Sequence, residues 1–165
     1  MSIIGNERRL FLEGEVETER LGGELARLAK QSEQSLTVFL EGDLGMGKTT
    51  LSRGVMRGLG HEGAVKSPTY TIVEPYEHLT PPVYHFDLYR LGDPEELEYM
   101  GIRDYFSANN LCLIEWPERG EGVLPEPDVE IQLERQSEGR TVILRARSEF
   151  GASLLNQIEL IGPDS

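Results

Sequence analysis

Apolar residues follow two different spacings along the chain, and each spacing predicts a different kind of element. In the segment TERLGGELARLA the leucines recur at intervals of three and four residues, which predicts an amphipathic helix over residues 18–29 with Thr18 as its N-cap. Short apolar runs such as LTVFL have the length and composition of buried strands. The same spacings predict strands over residues 36–40, 70–76, 83–88 and 111–114, and helices over residues 49–59 and 94–100.

The pattern changes after residue 123, where apolar and polar residues begin to alternate. The segments VEIQLERQ and RTVILRAR stand on either side of the turn residues 137–139, which predicts a β-hairpin with one face toward solvent. A closing helix is predicted over residues 148–161.

The order of these elements predicts one domain of the α/β class over residues 1–165. We expect a sandwich built on a mixed sheet, with parallel core strands, an antiparallel C-terminal hairpin and helices on both faces. Residues 1–14 and 162–165 are expected to be flexible, as chain ends often are.

The sequence GDLGMGKT (residues 42–49) matches the phosphate-loop pattern G-x-x-x-x-G-K-[ST] and stands between a predicted strand and a predicted helix. Its glycines let backbone N–H groups turn toward an anion, and the helix that follows points its positive end at the same place. Lys48 adds a charge for the terminal phosphates, and Thr49 offers a hydroxyl to Mg²⁺. We therefore expect a P-loop NTPase-like sandwich. The residues predicted to contact the nucleotide here are Asp43, Leu44, Gly45, Met46, Gly47, Lys48, Thr49 and Thr50.

Two carboxylates at the ends of predicted strands are candidates for a second magnesium anchor. Glu115 follows the apolar run LCLI, which is a Walker B arrangement with glutamate in place of aspartate. Asp87 lies in YHFDLYR, where alternation puts it on the same strand face as His85. For each carboxylate the alternative is a strand-end residue in water or paired with Arg90, and for His85 a structural role stays open.

The charge balance limits the partners of the chain. Sixteen basic and 29 acidic residues give a net charge of −13, which repels a nucleic-acid backbone and disfavours extensive direct binding. No apolar run is long enough for a transmembrane helix, and the first residues do not form a secretory signal, so we expect a cytoplasmic protein without a membrane partner. The one cysteine, Cys112, lies in an apolar run and is expected in the core.

Other nucleotide-using classes fit less well than an ATPase. A small-molecule kinase is the alternative, but the middle of the chain has no compact arginine-rich insertion that would form a lid. A GTPase is disfavoured because no N-K-x-D guanine motif occurs. The loop SPTY (residues 67–70) stands where nucleotide switches sense the γ-phosphate, although a turn role is equally open. Arg90 and Arg119 are candidates for a charge-stabilising arginine.

Four segments in this order and spacing resemble the bacterial TsaE (YjeE) family: GDLGMGKTTLSRG, VKSPTYTIVEPY, YHFDLYRLGDPEELEYMGIRDYF and LIEWPERG. The resemblance covers roughly residues 15–135, and its one visible departure in the phosphate loop is Met46, where a small residue is usual. It implies a small ATPase required for the threonylcarbamoyladenosine (t6A) modification of tRNA at position 37.

The resemblance also implies roles for residues already singled out. Thr49 and Glu115 would hold Mg²⁺, and Asp87 and Lys48 would complete the catalytic set. The loop at Thr69 would act as a switch, and a tryptophan next to the metal-site glutamate would lie near the nucleotide. That tryptophan is Trp116. The segment at residues 15–18 would border the adenine.

The partners implied by the resemblance are TsaD-like and TsaB-like proteins. ATP would be hydrolysed on their complex to support its turnover, and TsaD would perform the transfer of the threonylcarbamoyl group. tRNA would touch this chain only indirectly or locally. The arginines that could provide a local contact are Arg8, Arg9, Arg53 and Arg57.

Overall fold

The computed structural model describes residues 7–42, 47–65, 71–107, 109–136 and 138–159, which form seven strands and five α-helices. The strands are β1 (Glu7–Leu12), β2 (Leu36–Glu41), β3 (Val73–Tyr76), β4 (Val83–Asp87), β5 (Leu111–Glu115), β6 (Val129–Gln136) and β7 (Gly139–Ala146). The helices are α1 (Glu15–Ser32), α2 (Lys48–Gly58), α3 (Glu95–Tyr99), α4 (Ile102–Ser107) and α5 (Glu149–Gln157), and a 3-10 turn covers Pro117–Gly120. No helix in these ranges is long and apolar enough to cross a membrane.

All seven strands belong to one mixed sheet in the order β1-β7-β6-β2-β5-β4-β3. Strand β2 runs parallel to both β5 and β6, and β5 runs parallel to β4. The pairs β1–β7, β6–β7 and β3–β4 are antiparallel. The predicted mixed sheet with parallel core strands and an antiparallel C-terminal hairpin is confirmed.

Each face of the sheet buries its own apolar cluster. On one face, alternate residues of β2, β5, β6 and β7 pack against α1, α2 and α5. On the other face, Phe86, Cys112 and Ile114 pack against residues of α3 and α4. Burial raises the pKa of the Cys112 thiol to about 12, so this thiol stays neutral in the core, as expected. Helices therefore cover both faces, as the sequence predicts.

Helices α1 and α2 pack so closely that their contact leaves no room for a side chain. A methyl group built on Gly22 would lie 2.3 Å from the carbonyl oxygen of Leu51, and one built on Gly54 would lie 2.3 Å from that of Glu19. Thr18 lies beside Gly47 and Ala26 lies beside Gly58, so the contacts advance in the same direction and the two helices begin at the same end. This arrangement places the first turn of α1 beside the first turn of α2.

Within residues 1–14, which were expected to be flexible, Glu7–Leu12 form β1 and pair with β7 along their whole length, whereas residues 1–6 lie outside the described residues. This edge strand carries charged residues on its exposed positions, which hid the strand pattern. Helix α1 also begins earlier than predicted. Its N-cap is Gly14, and the Thr18 hydroxyl donates to the Gly14 carbonyl at 3.0 Å, so the prediction of Thr18 as N-cap is wrong.

Strand β3 and helix α5 also differ from the prediction in one boundary each. Strand β3 begins at Val73 rather than at residue 70, and α5 ends at Gln157 rather than at residue 161. The solvent-facing side of the hairpin holds for β6 but not for β7, whose Ile143 is 3% exposed.

Candidate active site

A cavity of about 460 Å³ opens beside the first turns of α1 and α2, at the carboxyl ends of the parallel strands. In open α/β sheets this is the edge at which ligands bind. The described residues that line the cavity are Gly14, Glu15, Thr18, Gly47, Lys48, Thr49, Thr50, Asp87, Glu115, Glu138 and Arg140. The structure therefore brings the predicted residues Lys48, Asp87 and Glu115 together with the start of α2.

Three buried ionisable side chains meet at the floor of this cavity. Lys48 begins α2, Glu115 ends β5 and His85 lies in β4, and their exposed fractions are 5%, 4% and 0%. Lys48 Nζ lies 3.8 Å from Glu115 Oε1, and His85 Nε2 lies 2.6 Å from Glu115 Oε2. Because a carboxylate oxygen only accepts, His85 Nε2 carries the proton of this hydrogen bond. The glutamate is thus fixed through both of its oxygens.

The Lys48 ammonium is buried without a hydrogen-bond acceptor among the described residues. It contacts the face of the Trp116 ring, 4.4 Å from the ring centroid, in addition to its ion pair with Glu115. A buried ammonium that makes no hydrogen bond is costly, and a phosphate oxygen would supply the missing acceptor. The chemistry of this lysine therefore fits a phosphate ligand.

The backbone at the start of α2 fits the same ligand. Gly47 has φ +105°, a conformation that residues with a Cβ rarely adopt, and it directly precedes the helix. Helix α2 has no acidic residue in its own first turn, so no side chain of the helix itself compensates the N–H groups and the positive dipole end that face the cavity. Thr49 and Thr50 of this first turn also line the cavity.

Asp87 stands beside Glu115 at the ends of two paired parallel strands. It is half-buried, and its Oδ1 accepts a hydrogen bond from the Tyr89 backbone N–H at 3.0 Å. Burial raises the pKa of the Asp87 carboxyl, and the negative charge of Glu115 raises it further. Two neighbouring carboxylates under these conditions favour a shared cation or a proton. Together with the Thr49 hydroxyl, this donor set suits Mg²⁺.

Aromatic rings connect the cavity floor to the surface. The Trp116 ring packs against the Tyr89 ring with centroids 4.9 Å apart, and the Arg119 guanidinium carbon lies 5.7 Å from the Tyr89 centroid. Trp116 itself has φ +57°, which turns the chain directly after Glu115. Neither Arg119 nor Arg90, the two candidates for a charge-stabilising arginine, lines the cavity.

Several predicted site residues lie outside the described residues. They are Asp43, Leu44, Gly45, Met46 and the loop at Thr69. The sequence analysis in turn missed Arg140 and Glu138, which reach the cavity from the C-terminal hairpin. No local signal marks them, because their position depends on the pairing of β7 with β1.

All four arginines considered for tRNA have partners within the protein. Arg8 Nη1 donates to the carbonyl oxygens of Leu155 and Ile158, both at 2.9 Å, and so caps the end of α5. Arg53 and Arg57 both form ion pairs with Glu19. Arg9 lies at an exposed position of the edge strand β1, where its Nη2 is 3.9 Å from Glu7 Oε1.

The sequence profile of one family, described as "Threonylcarbamoyl adenosine biosynthesis protein TsaE", matches residues 12–142. The chain belongs to the TsaE family. A TsaE relative from Haemophilus influenzae is 51% identical over 129 residues, which cover 78% of this chain and 82% of the relative. A TsaE relative from Bacillus subtilis is 40% identical over 119 residues, or 72% of each chain. Both relatives are named tRNA threonylcarbamoyladenosine biosynthesis protein TsaE.

The fold agrees with a solved structure across almost the whole chain. The crystal structure of YdiB from Bacillus subtilis superposes with a TM-score of 0.77 at 27% sequence identity, covering 92% of this TsaE chain and 93% of YdiB. The family resemblance read from the four sequence segments is therefore confirmed.

Proposed function

We propose that this TsaE chain is a cytoplasmic ATPase that supports the t6A modification of tRNA at position 37. The observation that carries the proposal is the buried Lys48 ammonium, 3.8 Å from Glu115 Oε1, at the start of a helix that lines a cavity shared with Asp87. A lysine, a helix N-terminus and two carboxylates are the elements that phosphoryl-transfer sites combine.

Each of these residues has a distinct task in hydrolysis. Lys48 and the N–H groups at the start of α2 bind the terminal phosphates, and Thr49 and Glu115 hold Mg²⁺. The metal, when bound, neutralises charge on the phosphates. His85 keeps the Glu115 carboxylate in place through its 2.6 Å hydrogen bond. Asp87 orients the attacking water and accepts its proton, a task to which a raised pKa suits a carboxylate.

We propose that hydrolysis by the isolated chain is slow and that TsaD-like and TsaB-like partners accelerate it. A transition-state arginine is worth ~10³–10⁵ in rate, and neither Arg90 nor Arg119 lines the cavity. Arg140 does line it, but it begins β7 and so lies away from the ends of β4 and β5 that carry Asp87 and Glu115. The partner complex would supply or order the missing group. It would also bind the tRNA, because a net charge of −13 and the internal ion pairs of Arg53 and Arg57 leave this chain a poor tRNA ligand.

Phosphate release from ATP and Mg²⁺ tests this proposal, measured with the isolated chain and with the TsaD-like and TsaB-like proteins added. We expect slow release alone and a large stimulation by the partners, together with more than one round of t6A formation only when the chain is present. Equal rates with and without partners would contradict the partner role. Transfer of the phosphate to small hydroxylated acceptors, rather than to water, would favour the kinase alternative.

A further inference from the structure

We propose that the Arg140 guanidinium binds the nucleoside half of the nucleotide, from the ribose and base to the α-phosphate. Arg140 belongs to the C-terminal hairpin and lies beside the start of α2, at the opposite end of the cavity from Asp87 and Glu115. The inference rests on the proposed ATP binding and adds a residue to that site.

The order of the strands sets the length of the cavity. Asp87 ends β4 and Arg140 begins β7, and these strands are four positions apart in the sheet, with β5, β2 and β6 between them. At 4.7–4.9 Å per strand the two positions are roughly 19 Å apart across the sheet. The start of α2, which follows β2, lies between them. The cavity therefore extends across the sheet rather than along it.

The two ends of the cavity differ in chemistry, and this difference gives a bound nucleotide its direction. Lys48, Glu115 and Asp87 gather at the β4–β5 end, where terminal phosphates and a metal ion are accommodated. The nucleoside half must then lie toward the other end, where Thr18 of α1 and Arg140 of β7 line the wall.

The position of Arg140 over α2 is fixed by the backbone. Its Cα pairs with that of Leu12 in β1, and the preceding Gly139 lies so close to β1 that a methyl group there would be 2.5 Å from the Leu12 carbonyl oxygen. Arg140 Nη1 donates to the Gly139 carbonyl at 3.0 Å. A methyl group built on Gly47 would lie 4.0 Å from Arg140 Nε and 3.8 Å from Thr18 Cγ2. Helix α1, the hairpin and the start of α2 thus meet at one point.

The acidic residues at this end of the cavity make a cation favourable for binding a nucleotide. The hairpin and the first turn of α1 contribute Glu138 and Glu15 to the wall, and both would repel a phosphate. Among the described residues that line the cavity, Lys48 and Arg140 are the cations, and Lys48 lies at the floor beside Glu115. A guanidinium can stack on a base and donate to phosphate oxygens, so it suits the junction between the two.

The test compares nucleotides with a ligand that has no nucleoside. Binding of ATP, ADP and inorganic tripolyphosphate with Mg²⁺ is measured by calorimetry for the wild type, Arg140→Ala and Arg140→Lys. We expect Arg140→Ala to weaken ATP and ADP binding by the same factor, ~10- to 100-fold, and to weaken tripolyphosphate binding clearly less, because tripolyphosphate loses only the contact at the α-phosphate position. Arg140→Lys should weaken ATP binding measurably and tripolyphosphate binding less.

Three results would overturn the assignment: unchanged ATP affinity in Arg140→Ala, equal losses for tripolyphosphate and ATP, or wild-type ATP affinity in Arg140→Lys. Failure of the wild type to bind ATP would instead reject the proposed function itself.

The matched control is Arg145→Ala, which removes an arginine from the opposite face of the same strand. Arg145 forms an ion pair with Glu7 at 3.6 Å and does not line the cavity. Its loss should therefore leave the affinities for ATP, ADP and tripolyphosphate unchanged. Melting temperatures without ligand show that each variant is folded.

Discussion

Charged side chains are more deeply buried in the parallel half of the sheet than in the antiparallel half. In the parallel half, Glu115 and His85 of β5 and β4 and the adjoining Lys48 are almost fully buried and contact one another. In the antiparallel half, Arg140 and Arg145 of β7 are only partly buried and lie on opposite faces of one strand.

This difference separates two kinds of contribution to the same site. Buried ionisable groups depend on one another, because removing one partner leaves the other charged and without compensation away from water. Partly exposed groups keep contact with solvent, so losing one affects what it binds more than how the chain folds. Substitutions in the parallel half should therefore alter both chemistry and stability, and those in the antiparallel half should alter one property at a time.

The largest effect is expected from Lys48→Ala. Loss of the buried ammonium should abolish ATP hydrolysis and weaken ATP binding by roughly 30- to 3,000-fold, because truncating one side of a buried charge contact costs several kcal/mol. The melting temperature without nucleotide should fall as well, since Glu115 loses its cation. Calorimetry and thermal unfolding measure both effects. Lys30→Ala, at the exposed end of α1, is the control. Wild-type ATP affinity in Lys48→Ala would contradict the idea that buried charges of the parallel half bind the nucleotide.

Asp87→Asn should lower hydrolysis by ~10²–10⁴-fold while ATP remains bound, because the amide cannot accept a proton from water. Single-turnover phosphate release, set beside ATP affinity for the same variant, separates the two steps. A variant that hydrolyses ATP at the wild-type rate would remove Asp87 from the reaction.

Substitutions of His85 test whether this buried histidine positions Glu115 or only packs in the core. If it positions Glu115, His85→Ala should raise the Mg²⁺ concentration needed for half-maximal hydrolysis by roughly 10- to 100-fold. His85→Gln, whose amide can donate from the place of Nε2, should recover part of this loss. The same Mg²⁺ dependence in both variants and the wild type would leave His85 as a core residue alone.

Asp87 also predicts how stability varies with pH. Burial and the Glu115 charge raise its pKa in the folded protein, so over the window between the ordinary and the raised value the folded state binds more protons than the unfolded chain. The contribution of this group to the unfolding free energy therefore falls as pH rises through that window. Asp87→Asn should flatten this part of the profile and unfold at higher denaturant concentration at neutral pH. Urea unfolding with EDTA and no nucleotide measures it, and an unchanged profile would contradict the shift.

The smallest effect on stability and activity is expected from a substitution next to the antiparallel half, at the N-cap of α5. Ser148 caps α5 by accepting a hydrogen bond from the Gly151 N–H at 2.9 Å, far from the cavity. Ser148→Ala should lower the unfolding free energy by about 1 kcal/mol and leave ATP hydrolysis unchanged. A loss of hydrolysis in this variant would show that the two halves are more tightly coupled than their contacts indicate.

Local patterns predicted the elements that carry the chemistry better than those that frame it. The apolar run before GDLGMGKT and the helical spacing after it predicted β2 and α2, and alternation in YHFDLYR put His85 and Asp87 on one face, as the structure has them. The edge strand β1 escaped prediction because its exposed charges give no apolar alternation.

The sequence by itself determined which chemical groups are present and the order in which they occur: a lysine after a glycine-rich turn, and two carboxylates at the ends of apolar strands. These signals are local, since a strand end and a helix start are set by neighbouring residues. Only the tertiary structure decided that His85 contacts Glu115 and that Arg140 stands over the start of α2. Those contacts depend on strand pairing and on the close approach of α1 to α2, which join residues far apart in the chain and leave no mark on the spacing of either segment alone.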